Sequence, residues 1–418
     1  MEATGQWKIG KRFSLLAGAF VILALAVALH VEYLYYMSLA LAVTPILAYL
    51  VGWHSLRTLE ARRESQAIAK AGERLPMRIA LINAGPTRKG LLLVRDHLPS
   101  GLQAEGFAER YVMDLAPGEA VTVEYPLLAR RRGVYYLGYV DVHCTDPLGL
   151  FNYHQEKTAE ALLIVHPRPI PLPRIRPPAA GLVATSRLRT RKRGDGTDFC
   201  GVREYTPGDD LRRIDWKSTA KRGKLTVIEY ESGEANNVAV ALDLSPAYHA
   251  GREDEHTLEY SVTLAASIAA QCLRRGSEFS LIAEGRDSHS LRALLSAQDE
   301  TAVMDALARV RPNAAQSFAE TLLNAESWLP RGCGLVVISP LIGPEAVAAA
   351  RRLVALGHGV LWVSLVAASF ADDGIRWPAD AGAYDELARS LAGARCAVRQ
   401  IRRGDDLATR MGANLGAR

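Results

Sequence analysis

Cysteine is scarce in this chain and badly placed for chemistry. The five residues, Cys144, Cys200, Cys272, Cys333 and Cys396, are odd in number and far apart. They form no C-x-x-C pair of the kind that zinc ribbons and dithiol redox centres require. Buried thiols in a reducing compartment are the expectation. The chain also lacks G-x-x-x-x-G-K-[ST], G-x-G-x-x-G, H-E-x-x-H and G-x-S-x-G, which removes the common phosphate-loop, dinucleotide, zincin and hydrolase signatures. Gly194, Gly196 and Gly201 do not have dinucleotide spacing. Charge of one sign is lacking too. Fifty Lys and Arg against 45 Asp and Glu leave +5, a balance that basic membrane flanks produce without any nucleic acid partner. The ten histidines are scattered, and His143 and His166 sit near strand ends, where a core or edge role is commoner than metal ligation.

What the chain does have is length and an apolar beginning. Its 418 residues suffice for two or three folded units. The mean hydropathy, +0.01, averages a soluble part with a more hydrophobic one. Residues 13–29 are an uninterrupted apolar or small-residue run, near the lower limit for a helix crossing a hydrocarbon core of about 30 Å. Residues 33–53 form a second run containing Pro45, which a membrane helix tolerates. His30 and Glu32 mark a short reversal, and Tyr33, Tyr35, Tyr36 and Trp53 occupy interfacial positions. Lys8, Lys11 and Arg12 precede the first run, while Arg57, Arg62 and Arg63 follow the second. The positive-inside rule therefore predicts two spans with both termini cytoplasmic. No A-x-A-like cleavage site precedes a polar domain, which argues against a removed signal peptide. Residues 56–71, charged every few positions, read as a helical exit from the membrane.

From residue 74 to 165 the pattern becomes short alternating runs divided by turn signals. Residues 77–83, 89–98, 110–115, 120–129, 133–142 and 161–167 succeed one another at the spacing of an antiparallel sandwich. Arg131 to Tyr135 open one strand, and residues 146–151, DPLGLF, read as a turn with an apolar plug. Residues 166–193 carry six prolines and then Arg187, Arg189, Arg191, Lys192 and Arg193, the composition of an extended, solvated connector. Its basic cluster could meet anionic lipid, but no aromatic platform accompanies it to suggest nucleic acid.

The densest polar stretch is 194–231. Tyr205 and Thr206 precede Pro207 and should be extended, and Pro207 and Gly208 should turn the chain. Asp209 or Asp210 can then cap a helix over 211–220 that buries Leu211, Ile214 and Trp216. Gly223 ends that helix, and 224–230 alternates as a strand with Leu225, Val227 and Glu229 on one face. Glu204, Asp209, Asp215, Glu229 and Glu231 could pair with Arg203, Arg212, Arg213, Lys217 and Arg222 in an internal ion network.

The segment REYTPGDDLRRIDWKSTAKRGKLTVIEYE resembles the signature of the bacterial domain-of-unknown-function 58 (DUF58) family. The order of parts is similar as well: two membrane spans, a β-rich region with RRGVYYLG and DPLGLF, the signature, then an α/β domain. The resemblance implies a C-terminal von Willebrand factor A-like fold. It also implies frequent association with MoxR-type AAA+ ATPases and transglutaminase-like membrane proteins. It implies no established reaction. Arg203, Glu204, Tyr205, Pro207, Gly208, Asp209, Arg212, Arg213, Asp215, Trp216 and Lys217 are the signature residues expected to serve structure or a partner.

Beyond the signature, residues 237–244 form a continuous apolar run suited to a buried parallel strand. Helices at 254–274, 298–310, 318–328 and 344–356 alternate with strands at 278–283, 334–339 and 359–365, and a final pair of segments covers 385–401 and 405–411. This is the pattern of a doubly wound α/β domain. In A-type domains the first strand ends in D-x-S-x-S, and a Thr and an Asp from later loops complete an oxygen-only metal site, which suits Mg²⁺. Here Asp243 and Ser245 give D-x-S-x-A, Ser317 could stand for the Thr, and Pro340 occupies the place of the Asp. Asp243, Ser245 and Ser317 are thus a degenerate site, and no cofactor is expected.

The sequence therefore predicts an α/β protein in five parts: a transmembrane hairpin at 1–60, a β-sandwich at 61–165, a linker at 166–193, the signature at 194–235 and a von Willebrand factor A-like domain at 236–418. The expected function is a non-catalytic scaffold on the cytoplasmic side of the bacterial inner membrane. Its expected partners are membrane lipid and a MoxR-type ATPase, without nucleic acid. The alternative is a hydrolase, either metal-assisted through Asp243 or built on the signature with Asp215 as base and Arg203 or Arg213 as an anion clamp.

Overall fold

The computed structural model describes residues 3–106, 109–112, 114–146, 148–173, 199–206, 214–230, 237–330, 332–371 and 381–412. The chain divides into two compact units, Met1–Pro167 and Arg168–Arg418.

The first unit begins with a helical hairpin, α1 (Ala3–Leu29) and α2 (Glu32–Arg57), reversed at His30 in the left-handed region (φ +56°). Ala19, Ala26, Ser38 and Ala48 are buried between the helices, and Ser38 Oγ donates to the Ala19 carbonyl at 2.8 Å. Small residues and an interhelical hydroxyl bond join helices that offer each other little else. Residues Glu32–His54 are long and apolar enough to cross a membrane, and Phe13–Leu29 is a shorter apolar stretch. Most of the large exposed hydrophobic side chains among the described residues lie on this hairpin.

The chain after the hairpin is strand, which corrects the helix expected over 56–71. β1 (Leu59–Glu64) alternates Leu59, Ala61 and Arg63 inward with Glu60, Arg62 and Glu64 outward, and β2 (Ile68–Lys70) follows. The period is two, so a helix would have spread the same charges around its circumference. β3 (Glu73–Asn83), β4 (Leu92–Asp96), β5 (Leu102–Ala104), β6 (Glu109–Val112), β7 (Ala120–Ala129), β8 (Gly133–Thr145) and β9 (Asn152–His166) complete the unit. A four-stranded sheet in the order β1-β3-β7-β5 and a five-stranded sheet in the order β2-β9-β8-β4-β6 enclose one apolar core, from Leu56 and Met77 to Val142 and Leu163. All pairings are antiparallel except β2 with β9.

A buried polar staple crosses that core. The Arg63 guanidinium on β1 pairs with the Asp96 carboxylate on β4, and Tyr125 on β7 donates its hydroxyl to the same carboxylate. Arg63 Nη1 also donates to the Ala159 carbonyl at 2.8 Å. Both charged side chains are fully buried. Burial, then the neighbouring Asp96 charge, pushes the Tyr125 hydroxyl well above its ordinary range. His143, two residues from the end of β8, lies beside His154 on β9 with ring centroids 4.6 Å apart, and His166 is buried at the end of β9, so both sit near strand ends as their places in the sequence suggest.

The second unit starts as a strap, not as a free connector. Ile170 and Leu172 pack on its core, Ile170 N–H donates to Ser267 Oγ at 2.9 Å, and Gln271 Nε2 donates to the Leu172 carbonyl at 2.9 Å. Arg187 to Arg193 lie outside the described residues. The signature supplies a two-stranded antiparallel sheet, β10 (Phe199–Glu204) and β11 (Thr226–Tyr230), with α3 (Trp216–Arg222) between them in sequence.

There follow β12 (Val238–Leu242), the small hairpin β13 (Gly251–Arg252) and β14 (Glu255–His256), α4 (Thr257–Leu273), β15 (Phe279–Ile282), β16 (Leu291–Leu294), α5 (Asp299–Arg309), α6 (Phe318–Ala325), β17 (Gly334–Ser339), α7 (Pro344–Ala355), β18 (Gly359–Leu365), α8 (Ala381–Gly393), β19 (Ala397–Ile401) and α9 (Leu407–Gly412). The sheet order is β16-β15-β12-β17-β18-β19, parallel apart from the edge strand β16. One face packs on α4, α5 and α9, the other on α6, α7 and α8. The strand runs are apolar on both faces because both are covered. Residues 254–256 belong to the hairpin, so α4 begins at Thr257. The segment expected over 385–401 divides at Gly393 into a helix and a strand, with Arg395 in the left-handed region (φ +63°).

Candidate functional site

Two places compete: the signature hairpin and the carboxyl edge of the parallel sheet, where doubly wound folds bind ligands. In the signature, the helix begins five residues later than expected, and its cap is Asp215, not Asp209 or Asp210. The Asp215 carboxylate accepts from Lys217 N–H at 3.1 Å, Ser218 N–H at 3.2 Å and Ser218 Oγ at 2.6 Å. These bonds, that to the Ser218 hydroxyl first, hold its carboxyl below the usual range. Asp215 therefore stabilises a helix start and is poorly suited to act as a base. Gly223 ends the helix in the left-handed region (φ +69°), as its place in the sequence required.

Ile214 is buried and bridges Val227, but Trp216 is 68% exposed, against the expectation that it packs inward. It is the first residue of a short helix tied to β11 on its far side, where Thr226 N–H donates to Thr219 Oγ at 3.0 Å. Glu204 pairs with Lys224 at 2.9 Å on the surface, a link outside the expected network. Tyr205 N–H donates to the Leu225 carbonyl at 2.8 Å, continuing the sheet. Leu225 is 45% exposed while Thr226 and Val227 are both buried, which breaks the expected alternation. Lys217 is exposed, and Arg203 lies in β10 opposite Val227. Pro207, Gly208, Asp209, Arg212 and Arg213 lie outside the described residues.

At the sheet edge, strand register builds a row of polar residues. Leu242 pairs with Ile338, so the next positions, Asp243 and Ser339, face each other. Ser339 is in register with Ser364 on β18, and Ser364 with Gln400 on β19. Alternation puts all four on the α6–α8 face, directly beyond Ala241, Val337, Trp362 and Val398. Asp243, Ser339 and Ser364 are completely buried. Asp243 Oδ2 accepts from Ser339 Oγ at 2.6 Å, and Oδ1 accepts from Ser245 N–H at 2.9 Å. Ser339 Oγ in turn accepts from Leu341 N–H at 2.9 Å. Burial raises the Asp243 pKa, and the bonds from Ser339 and Ser245 oppose that rise.

His249 closes the site behind Asp243. Its Nε2 lies 2.8 Å from the Asp243 carbonyl, an acceptor only, so Nε2 carries the proton. Nδ1 then accepts from Thr257 Oγ, 2.9 Å away, and Thr257 Oγ accepts from Ala250 N–H at 3.1 Å. Every polar atom is satisfied with the imidazole neutral. Burial lowers the His249 pKa to about 4.

Ser317 caps a helix. Its hydroxyl accepts from Glu320 N–H at 3.3 Å, and the Glu320 carboxylate accepts from Ser317 N–H at 3.2 Å, a reciprocal cap on α6. Its loop is tied next to Asp243, through Ala314 N–H to the Leu244 carbonyl at 3.0 Å. The oxygens shown at Asp243 are thus its own carboxyl and the Ser339 hydroxyl, already bonded to each other, with the carboxyl also taken by the Ser245 N–H. Such a set fits a divalent cation poorly, since Mg²⁺ needs oxygens turned toward it and usually more than one charge. No group of three His, Cys, Asp or Glu among the described residues could hold a metal ion. Ser339 and Ser364 went unnoticed in the sequence, although GLVVIS and GVLWVSL both end apolar runs with a serine near the same edge.

A second buried pair sits at the opposite edge. Cys333 Sγ lies 3.2 Å from His358 Nδ1. Burial pushes the thiol up to about 11 and the imidazole down, so both are neutral and the cysteine is a poor nucleophile.

The stretch that carries both the hairpin and the Asp243 row has a known counterpart. Residues 201–371 match the family described as Protein of unknown function DUF58. The match runs from within β10 to just past β18, so the hairpin and Asp243, Ser339 and Ser364 fall inside the matched segment, while Gln400 on β19 lies beyond it. A relative, the uncharacterized protein YeaD of Bacillus subtilis (strain 168), is 26% identical over 261 residues, 59% of this chain and 62% of its own length. Among solved structures, the CARDB domain of a Pyrococcus furiosus protein is 12% identical over 26% of this chain and 91% of its own, with a TM-score of 0.19. A cohesin module from Clostridium perfringens is 5% identical over 27% and 98%, also at 0.19. Scores this low carry no argument.

Proposed function

We propose that the chain is a membrane-anchored, non-catalytic interaction scaffold whose signature hairpin engages a partner protein. The observation that carries this reading is Trp216: a large aromatic, 68% exposed on a helix fixed by the Asp215 cap and the Ile214–Val227 bridge. Rigidly presented aromatic side chains are what interfaces use as anchors. The satisfied bonding of Asp243 and His249 favours a structural part for the sheet edge over a reacting one.

The finer architecture belongs to the same proposal. The α/β portion is von Willebrand factor A-like, a reading supported by the doubly wound order and by Asp243 and Ser245 after its first strand. α1 and α2 both cross the bacterial cytoplasmic membrane, supported by their small-residue contact and by the basic flanks at Lys8, Lys11, Arg12, Arg57 and Arg62. Both termini and the folded units are cytoplasmic. On the signature's resemblance, the partner is a MoxR-type AAA+ ATPase, with a transglutaminase-like membrane protein as a further associate. Detergent extraction of the full chain, affinity capture with and without ATP, and mass spectrometry test the proposal. Recovery of an AAA+ ATPase is expected, and its consistent absence would overturn the reading.

A further inference from the structure

The first unit fixes how its β-sandwich meets α2, and that contact is higher up the apolar helix than a tether requires. Tyr153 on β9 donates its hydroxyl to the Tyr49 carbonyl at 2.9 Å. Phe151 meets the Tyr49 ring edge-on at 5.5 Å between centroids. Gly52 lies against the Tyr153 ring so closely that a Cβ there would clash at 2.0 Å. Tyr49 and Gly52 both fall within Glu32–His54, the stretch long and apolar enough to cross a membrane. The turn between β8 and β9 is therefore held beside the last part of that stretch, well before α2 ends at Arg57.

The hairpin sets the level. The Ser38–Ala19 bond fixes the antiparallel alignment of α1 and α2. Lys8 is eleven residues before Ala19 and Tyr49 eleven after Ser38, so at 1.5 Å per residue both lie about 16 Å from that bond along the helices. Lys8, Lys11 and Arg12 mark where α1 leaves the apolar layer. Tyr49, Phe151 and Tyr153 collect at the level of Lys8, with Trp53 about one turn further out, the place of an interfacial aromatic belt. The turn that reaches this level is rigid. Buried Asp146 accepts from Leu148 N–H at 3.0 Å and from Phe151 N–H, and its carbonyl accepts from Gly149 N–H at 2.9 Å. Leu148 projects from it, 52% exposed, while Leu150 is buried behind.

We propose that the β8–β9 turn is a second membrane contact, with Leu148 seated in the lipid headgroup and upper acyl region beside α2. The sandwich then rests on the bilayer and does not swing from it, and DPLGLF has a use beyond turn formation. This inference rests on the reading of α2 as a membrane span.

The test uses the full chain with Cys200→Ser, carrying a nitroxide at Leu148→Cys or, separately, at Met37→Cys, an exposed position in the first third of α2 and inside its apolar stretch. The remaining cysteines, Cys144, Cys272, Cys333 and Cys396, are buried. Each protein is reconstituted in phosphatidylcholine/phosphatidylglycerol vesicles, and its collision rates with oxygen and with a water-soluble nickel chelate are measured. The expected result is greater access to oxygen than to nickel at both positions, more strongly at Met37. Lipid-like access at Met37 with nickel favoured at Leu148 overturns the turn contact alone. Shielding of Leu148 from both reagents means that a protein covers it, and overturns it as well. Nickel favoured at Met37 removes the span, and the contact with it.

Discussion

Asp96 in the sandwich and Asp243 in the α/β unit are both buried carboxyls, yet they are satisfied in opposite ways. Asp96 has a full counter-charge, the Arg63 guanidinium, with the Tyr125 hydroxyl as a third member. Asp243 is met by the Ser339 hydroxyl and the Ser245 N–H, and among the described residues no Lys or Arg pairs with it. The first is an ion pair locking two sheets together. The second is a weakly compensated charge at the edge where this class of sheet binds ligands. The contrast teaches that burial alone does not mark function, because the partner decides whether a carboxyl is held in one state or left easy to neutralise.

Breaking the staple should give the largest effect. Arg63→Met leaves Asp96 as a buried charge without its partner, a loss of about 3–5 kcal/mol, measured by denaturant unfolding of the detergent-solubilised chain. Arg63→Met with Asp96→Leu should recover part of that loss. If the single variant unfolds like the parent, the staple is idle.

The next effect is pH-dependent and belongs to His249. Its folded pKa, about 4, lies below the ordinary 6.5, so the unfolded chain binds the extra proton between those values. Stability from this group is complete above pH 6.5 and falls as pH drops toward 4, by about 3 kcal/mol in all. The raised pKa of Asp243 acts with the opposite sign, which makes the difference between parent and variant the informative quantity. His249→Gln, which can still donate to the Asp243 carbonyl, should flatten the acid limb of a stability profile. An unchanged slope would show that the imidazole is not buried neutral.

Asp243 itself should show a smaller, graded response. Asp243→Asn keeps one acceptor, for the Ser245 N–H, while its amide N–H can donate to the Ser339 hydroxyl, and it should cost less than Asp243→Ala, which strands both donors at about 1–3 kcal/mol. The parent should also show no stoichiometric Mg²⁺ binding in calorimetry. Tight binding that Asp243→Ala abolishes would contradict the hydrogen-bonded reading. Smallest of all, Trp216→Ala should shift stability by no more than about 0.5 kcal/mol, as for surface positions generally.

Much of this architecture was legible because strand and helix periods differ. The sequence pattern gives residues 120–129, 334–339 and 359–365 the bounds they have in the structure. Their apolar pattern is either strictly alternating or continuous between turn signals. The failures share a cause, which is polarity at buried or pivotal positions. Residues 59–64 read as a charged helix because Arg63 points inward, something only its bonds to Asp96 and Ala159 explain. β16, with Leu291 and Leu294 half-buried on an edge, has too short an apolar pattern to announce itself. In the signature, Asp209, Asp210 and Asp215 are all plausible caps by residue type, and tertiary pairing of Ile214 with Val227 selects the last. Of the polar row, the sequence offers Asp243 alone, with Ser245 beside it, through the D-x-S pattern that the resemblance to A-type domains implies, whereas Ser339, Ser364 and Gln400 become its neighbours only through sheet register.

The scaffold reading is tested most directly by affinity capture with matched melting curves for the parent and Trp216→Ala in the full membrane-extracted chain. The account predicts that both melt alike and that only the parent retains the AAA+ ATPase. A variant that melts normally and captures the ATPase as well as the parent does would contradict it.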